Sequence, residues 1–457
     1  MQQSRKQVNT IPVLPFDTVV PIAEKQVYQT IDRWKSSNFD ADQRAGGAMD
    51  VECLHQTTSA RPEMSKPARP FIFSCDAHIA EPSDLFTERM PQHLADYAIT
   101  LTTEGSRRIY KVGDRVIMRF LPDFPAHKTG KTDEEFYAQS SSVVDTKRRG
   151  FRDLALRAQD MDRDGVDAEL CFPTVGLLIA RIGDREGERT AARIWNDWAW
   201  DYTEPLRDRL IPTAVIPSHN FDDALAECRR TAKMGYASFS LFEGLNNYND
   251  PRWDPIFAFA AESGIPFAFH TGFGDIPLRP LNGPGGAVYN YTRQMNDSID
   301  IITQLVAGGV LDRNPGAHIV FAEHSAGWLW SLAERMDEVY IGHANSVEPK
   351  LARMPSQIVR DQVHCSFQND THSAVAIRHG IGTSALMFAT DYPHSEGTFP
   401  FTSDVIRELH ERNPDVTPDE LVEMLGGNAA RLFTRANLVP QFEKRRAEFL
   451  ASEMVAA

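Results

Sequence analysis

A carboxylate and an imidazole stand two residues apart in Phe71-Ile72-Phe73-Ser74-Cys75-Asp76-Ala77-His78. The apolar start of this run reads as a buried strand that delivers both groups at its C-terminal end. In an extended chain, residues two apart point to the same face, so Asp76 and His78 share one. An oxygen and a nitrogen on a shared face can begin a divalent-metal site. Without further ligands the same pair makes only a strand-end turn.

Other apolar runs end in the same chemistry. His270 closes FAFH in FAFHTGFG, Glu323-His324 follow IVFA in IVFAEHSAGW, and Asp391 follows MFAT in MFATDYPH. Asp76, Asp391, His78, His270 and His324 together supply two carboxylates and three imidazoles. Mixed oxygen and imidazole donors suit Zn²⁺, Mn²⁺ or Fe²⁺ better than Ca²⁺ or Mg²⁺. Such a metal with an open position lowers the pKa of bound water from about 16 towards 7. Asp391 could both hold the metal and accept a proton. An imidazole near the metal but not on it could move protons close to neutral pH.

These side chains meet only if their strands converge. From Asp153 onward the chain alternates helical stretches with short apolar runs: Asp167–Pro173, Ile211–Pro217, Ala237–Leu241, Pro266–His270, Ala317–Phe321, Val363–Phe367 and Ala385–Ala389. With Phe71–Phe73 this predicts an α/β chain folded as a (β/α)8 TIM barrel, in which the C-terminal strand ends surround one pocket. Residues 1–69 read as an N-terminal extension, with short helices around Ala23–Lys35 and Gly47–His55. Residues 70–436 form the barrel, with a long insertion after the first strand at about 83–150, and 437–457 a C-terminal tail. Within the insertion, Arg108–Val112 and Val116–Phe120 alternate about Gly113-Asp114 as a hairpin. Thr417-Pro418-Asp419-Glu420 predicts a capped helix start, and Gly426-Gly427 a helix break.

The chain's 457 residues accommodate such a barrel with additions, and its 42% hydrophobic and 10% aromatic content suits a large core. A net charge of -15 disfavours nucleic acid and anionic membrane as partners. The five cysteines are scattered without a CxxC pair, which fits a reducing compartment. No run has the length of a signal peptide core or a membrane span, so a cytoplasmic location is the expectation.

The set DAHIAEP, FAFHTGFG, GGVLDRNPGAHIVFAEHSAGWLW, ATDYPHSEGTFP and GGNAARLF, spread from Phe71 to Phe433, resembles the amidohydrolase-related family of metal-dependent barrels. That branch holds hydrolases beside nonoxidative decarboxylases such as aminocarboxymuconate-semialdehyde and resorcylate decarboxylases. The resemblance implies metal ligation by Asp76, His78, His270 and Asp391, with His324 and Asp391 as catalytic acid/base groups. The family's first pair is often His-x-His or Glu-x-His; Asp76 departs from it but keeps an oxygen. One divalent metal is implied, zinc first, with manganese or iron as alternatives. Glu243 is a reserve ligand, more simply read as a solvated loop acid. Glu81, Arg89 and His394 are candidate contacts to substrate. Glu81 is equally a partner for a metal-binding histidine or a helix cap, and Arg119 is a weaker counterpart of Arg89. The resemblance also implies a homo-oligomer, a dimer, acting on a small molecule. A hydrolase of a small organic substrate, aromatic or carboxylated among the options, is the first expectation, because the Asp-x-His pair and the insertion depart from decarboxylase patterns. A metal-dependent nonoxidative decarboxylase is the alternative, and a binding protein with an inactive site the third reading.

Overall fold

The computed structural model describes residues 68–104, 107–119, 149–245, 247–272, 284–394 and 397–456. The expected N-terminal extension, except Ala68 and Arg69, and the middle of the insertion lie outside the described residues.

Parallel strands alternate with helices in a mixed α/β arrangement. Strand β1 (Phe73–His78) pairs with β5 (Ala168–Phe172), and β5 with β6 (Leu210–Pro212). A second set runs in chain order through β7 (Ala214–Val215), β8 (Phe239–Ser240), β9 (Phe267–His270), β10 (Ile319–Ala322), β11 (Val363–Phe367) and β12 (Leu386–Phe388). Thr213 alone separates β6 from β7, and its N–H donates to Cys171 O at 3.0 Å, so the two sets share one stretch of chain. At the other margin the chain just past β12 pairs with β1. Ala77 bridges Tyr392, the His78 N–H donates to Tyr392 O at 2.7 Å, and the Asp391 N–H donates to Asp76 O at 2.9 Å. These strands are buried along their length, as parallel strands covered on both faces must be.

The connecting helices begin and end where local chemistry dictates. Asp153, Asp184 and Asn220 accept from backbone N–H groups in the first turns of the Leu154–Asp164, Arg185–Tyr202 and Phe221–Met234 helices. Thr417 and Glu420 form the expected capping box. Gly426 does not break the chain's helical path. A wide turn, Glu423–Gly427, passes so close beneath β1 that a Cβ on Gly426 would lie 2.7 Å from Phe71 O. Close approach, not helix breaking, is what requires glycine there.

The insertion contains a small antiparallel sheet, β2 (Ile99–Glu104), β3 (Arg107–Val112) and β4 (Arg115–Arg119). The expected hairpin turns at Gly113-Asp114, with Gly113 at φ 56°. The stretch after 437 is not a loose tail. It forms the helix Val439–Ala456, whose Phe442 is buried edge-on against Phe71, ring centroids 6.0 Å apart. Among the described residues no helix is long and apolar enough to cross a membrane.

One buried ion pair ties the elements that carry the first ligands. Arg157, fully buried, donates from Nε to Glu169 Oε2 on β5 at 2.7 Å and from Nη1 to His78 O at 3.0 Å. Its guanidinium lies 4.1 Å from the Tyr392 ring centroid. Replacing Arg157 by Met strands the Glu169 carboxylate without its counter-charge, an expected loss of about 3–5 kcal/mol. The loss is measured as a shift in denaturation midpoint, and Arg157→Met with Glu169→Gln should recover most of it.

Candidate metal centre

The C-terminal ends of β1 and β9 and the turn after β12 bring Asp76, His78, His270 and Asp391 together, each at most 1% exposed. Asp76 Oδ1 lies 3.3 Å from His270 Nε2 and 3.8 Å from His78 Nε2. Asp391 Oδ1 lies 3.7 Å from His78 Nε2. One ligand atom from each of Asp76, His78 and His270 falls within 4.8 Å of the others, and the same holds for His78, Asp391 and His394.

Both imidazoles are oriented by their other nitrogen. His78 Nδ1 lies 3.0 Å from Pro173 O, and His270 Nδ1 lies 2.7 Å from Thr271 O. A carbonyl only accepts, so each Nδ1 carries a proton and each Nε2 is the nitrogen left to face the pocket. Both Nε2 atoms and both carboxylate oxygens of Asp76 are buried without a hydrogen-bond partner. Leaving such atoms unsatisfied is costly, and a bound cation relieves the cost. The donor set and its burial therefore fit a divalent metal of the zinc, manganese or iron kind.

The two histidines respond oppositely to this setting. Burial, reinforced by His394 and His270 nearby, holds the His78 pKa well below its ordinary value. Burial also opposes charge on His270, but the carboxylates of Asp76 and Glu323 outweigh it and raise its pKa to about 9.

His324 stands outside the ligand cluster. Its Nε2 is 2.8 Å from Glu243 Oε1, and Glu243 is only 2% exposed. Glu243, just past β8, is therefore no solvated loop acid; it is buried against His324. Nearby, burial and then the charge of Glu243 raise the Asp297 pKa to about 6. The turn itself is unusual: Glu323 and Ser325 adopt φ 64° and 58°, and Asp391 φ 50°. Left-handed backbone at non-glycine residues persists where its surroundings enforce it. Ser366 Oγ accepts from the Glu323 N–H at 3.1 Å, Asp370 from the Ala326 N–H at 3.1 Å, and the Trp328 indole donates to His324 O at 2.8 Å.

The candidate substrate contacts fare differently. His394 lies at the mouth, its side chain 29% exposed, with Nδ1 2.9 Å from Asp391 Oδ1 and its ring 4.4 Å from that of His78. Glu81 does not face a substrate. Its carboxylate accepts from the N–H groups of Thr174, Val175 and Gly176 at 2.9–3.1 Å and from the Trp195 indole at 2.5 Å. It caps the turn after β5, and its acceptor capacity is spent there. Arg89 is exposed at the end of the Leu85–Arg89 helix, and Arg119 is exposed at the end of β4. Neither belongs to the buried cluster.

Two further groups escape the sequence reading. Glu323 Oε2 lies 3.5 Å from His270 Nε2, and its strand-end place beside His324 was the available signal. His219, just past β7, has Nδ1 2.6 Å from the buried Glu188 on the Arg185–Tyr202 helix. Its only signal was its place after an apolar strand.

Residues 75–435 match the family model described as amidohydrolase. No curated protein matches the chain. Among solved structures, the chain is similar to an amidohydrolase from Mycobacterium avium subsp. paratuberculosis, with 19% identity and a TM-score of 0.63 over 80% of this chain and 98% of that one. It is similar to a 2,6-dihydroxybenzoate decarboxylase from Rhizobium, at 17% identity and a TM-score of 0.54 over 80% and 99%. A third is a 5-carboxyvanillate decarboxylase from Novosphingobium aromaticivorans, solved with manganese and 4-hydroxy-3-methoxy-5-nitrobenzoic acid, at 17% identity and 0.56 over 80% and 96%. Such distant likenesses establish shared fold.

With a pKa of about 9, His270 is protonated at neutral pH when no cation is bound, so metal uptake must expel that proton. Apparent affinity should therefore rise about tenfold per pH unit between pH 6 and 8. Mn²⁺ titrations at several pH values, with proton release followed calorimetrically in two buffers, measure this; a flat profile refutes it.

Proposed function

Because the chain belongs to the amidohydrolase family, whose model spans residues 75–435, we propose that it is a metal-dependent nonoxidative decarboxylase of a small aromatic carboxylate. The same proposal takes the two sets of parallel strands as one closed (β/α)8 barrel with its active site at the C-terminal face. The observation that carries the reaction is the buried His324–Glu243 pair, 2.8 Å apart beside a cluster of metal-ligand type. Decarboxylation, R–COO⁻ + H⁺ → R–H + CO₂, needs one proton delivered to carbon as the C–C bond electrons return to it. An imidazole kept off the metal and held by a carboxylate suits that task. Likeness to the dihydroxybenzoate and carboxyvanillate decarboxylases supports the same choice.

Asp76, His78, His270 and Asp391 would hold one divalent ion. When bound, it supplies positive charge that orients and neutralises substrate oxygen atoms. Zinc was the first expectation; the manganese in the carboxyvanillate enzyme supports manganese as an equal candidate. His324 protonates the ring carbon. Glu243, 2.8 Å away, positions the imidazole for the transfer. His394, partly exposed beside Asp391, contacts the substrate at the mouth. The buried ligands keep bulk water from the reacting carbon.

Hydrolysis, placed first from sequence, becomes the second reading. It rested on the Asp-x-His departure and the long insertion, yet Asp76 still brings a buried carboxylate to the cluster, with Oδ1 3.3 Å from His270 Nε2. It keeps support from the amidohydrolase designation of the mycobacterial structure.

A panel of ortho-hydroxylated benzoates, assayed for CO₂ with Mn²⁺ or Zn²⁺ restored, tests the proposal. One CO₂ per product is expected; turnover of esters, lactones or amides without CO₂ would establish hydrolysis instead. His324→Gln should lower kcat by about 100-fold or more while metal content stays unchanged. Asp391→Asn should lose activity and metal together, both followed by elemental analysis beside the assay.

A further inference from the structure

We propose that Glu323 is a further carboxylate of the metal centre, making it a site of three carboxylates and two imidazoles. This rests on the metal-centre reading above. His270 Nε2, the atom turned into the pocket, is bracketed by Asp76 Oδ1 at 3.3 Å and Glu323 Oε2 at 3.5 Å. The Glu323 side chain is only 14% exposed. Two carboxylates converging on one buried atom are compensated by the His270 proton in the metal-free chain, and a cation that displaces that proton must take over the same place between them.

The backbone argues the same way. Glu323 holds φ 64°, where glycine is favoured, and its N–H is tied to Ser366 Oγ at 3.1 Å. A glutamate held there is strained, and what the strain achieves is a carboxylate aimed at His270. Glu243 offers the contrast. It is more deeply buried, at 2% exposed, and its carboxylate lies 2.8 Å from His324 instead of facing His270.

Adding Glu323 changes the chemistry of the centre. Asp76, Asp391 and Glu323 carry three negative charges; with two neutral imidazoles and a divalent ion, the site keeps one net negative charge. Oxygen-rich donor sets of this kind favour harder ions that take more than four ligands, manganese or iron, over four-coordinate zinc. Glu323 thus biases metal choice in a chain whose first pair is Asp-x-His.

The test uses the full chain stripped of metal, titrated with Mn²⁺ while free ion is counted by electron paramagnetic resonance, and with Zn²⁺ by competition. Glu323→Gln should weaken Mn²⁺ binding about 10–100-fold and lower the Mn²⁺-to-Zn²⁺ affinity ratio. Glu323→Gly, which suits the left-handed backbone and secures folding, should do the same. Glu243→Gln should leave Mn²⁺ affinity within about twofold, a small change against these losses. Unchanged affinity in both Glu323 variants, or an equal loss in Glu243→Gln, overturns the role of Glu323 while leaving the centre intact. A wild-type chain that takes up neither ion overturns the metal-centre reading itself, and this inference with it.

Discussion

Everything at the C-terminal face follows from burying carboxylates and imidazoles together. Asp76 and Asp391 are fully buried, and His78 and His270 are 1% exposed. Burying a charge is tolerable only where something compensates it. Within the protein the compensation is partial: carbonyls occupy each Nδ1, while the Nε2 atoms and the Asp76 oxygens remain unmet. The fold gives up stability to hold these unmet groups together, an arrangement that fits a cation.

The surroundings are built to sustain that cost. Arg157 locks β1 to β5 and to the chain after β12, so the two halves of the ligand set cannot drift apart. Glu81, five residues beyond Asp76, gathers three N–H groups and an indole to fix the loop after β5, which in turn supplies the carbonyl that orients His78. Left-handed backbone at Glu323, Ser325 and Asp391 concentrates strain where side chains must be aimed. Rigid support and local strain are two sides of one arrangement.

The reaction is argued from the part of the site that is not on the metal. Ligand residues alone suit hydrolysis and decarboxylation equally, because both use a polarising cation. The buried His324 imidazole, 2.8 Å from Glu243, is the group on which the proposed protonation of carbon rests. Asp-x-His, which first suggested a different reaction, instead joins Glu323 as a question of metal choice.

Much of this was legible in the order of residues. The period of apolar runs, the Thr417 capping box and the hairpin at Gly113-Asp114 are local matters, set by burial and backbone preference within a few residues. Strand-end Asp76, His78, His270 and Asp391 were also legible, since a parallel α/β order puts such ends on one face. What remained hidden depended on contacts distant in sequence. Glu81 is followed by a helix start and looks like a ligand or a cap, yet its partners lie 93–114 residues away. Glu243 looked like a loop acid because its burial comes from the turn carrying His324, and Glu323 was overshadowed by its neighbour because its aim depends on a left-handed φ. The last helix was read as a tail because only Phe71, far away in the chain, shows that Phe442 is core. Sequence alone determined which chemical groups arrive at the strand ends; tertiary structure decided which of them meet, since distance between side chains, and the dielectric they share, exist only once the chain has folded.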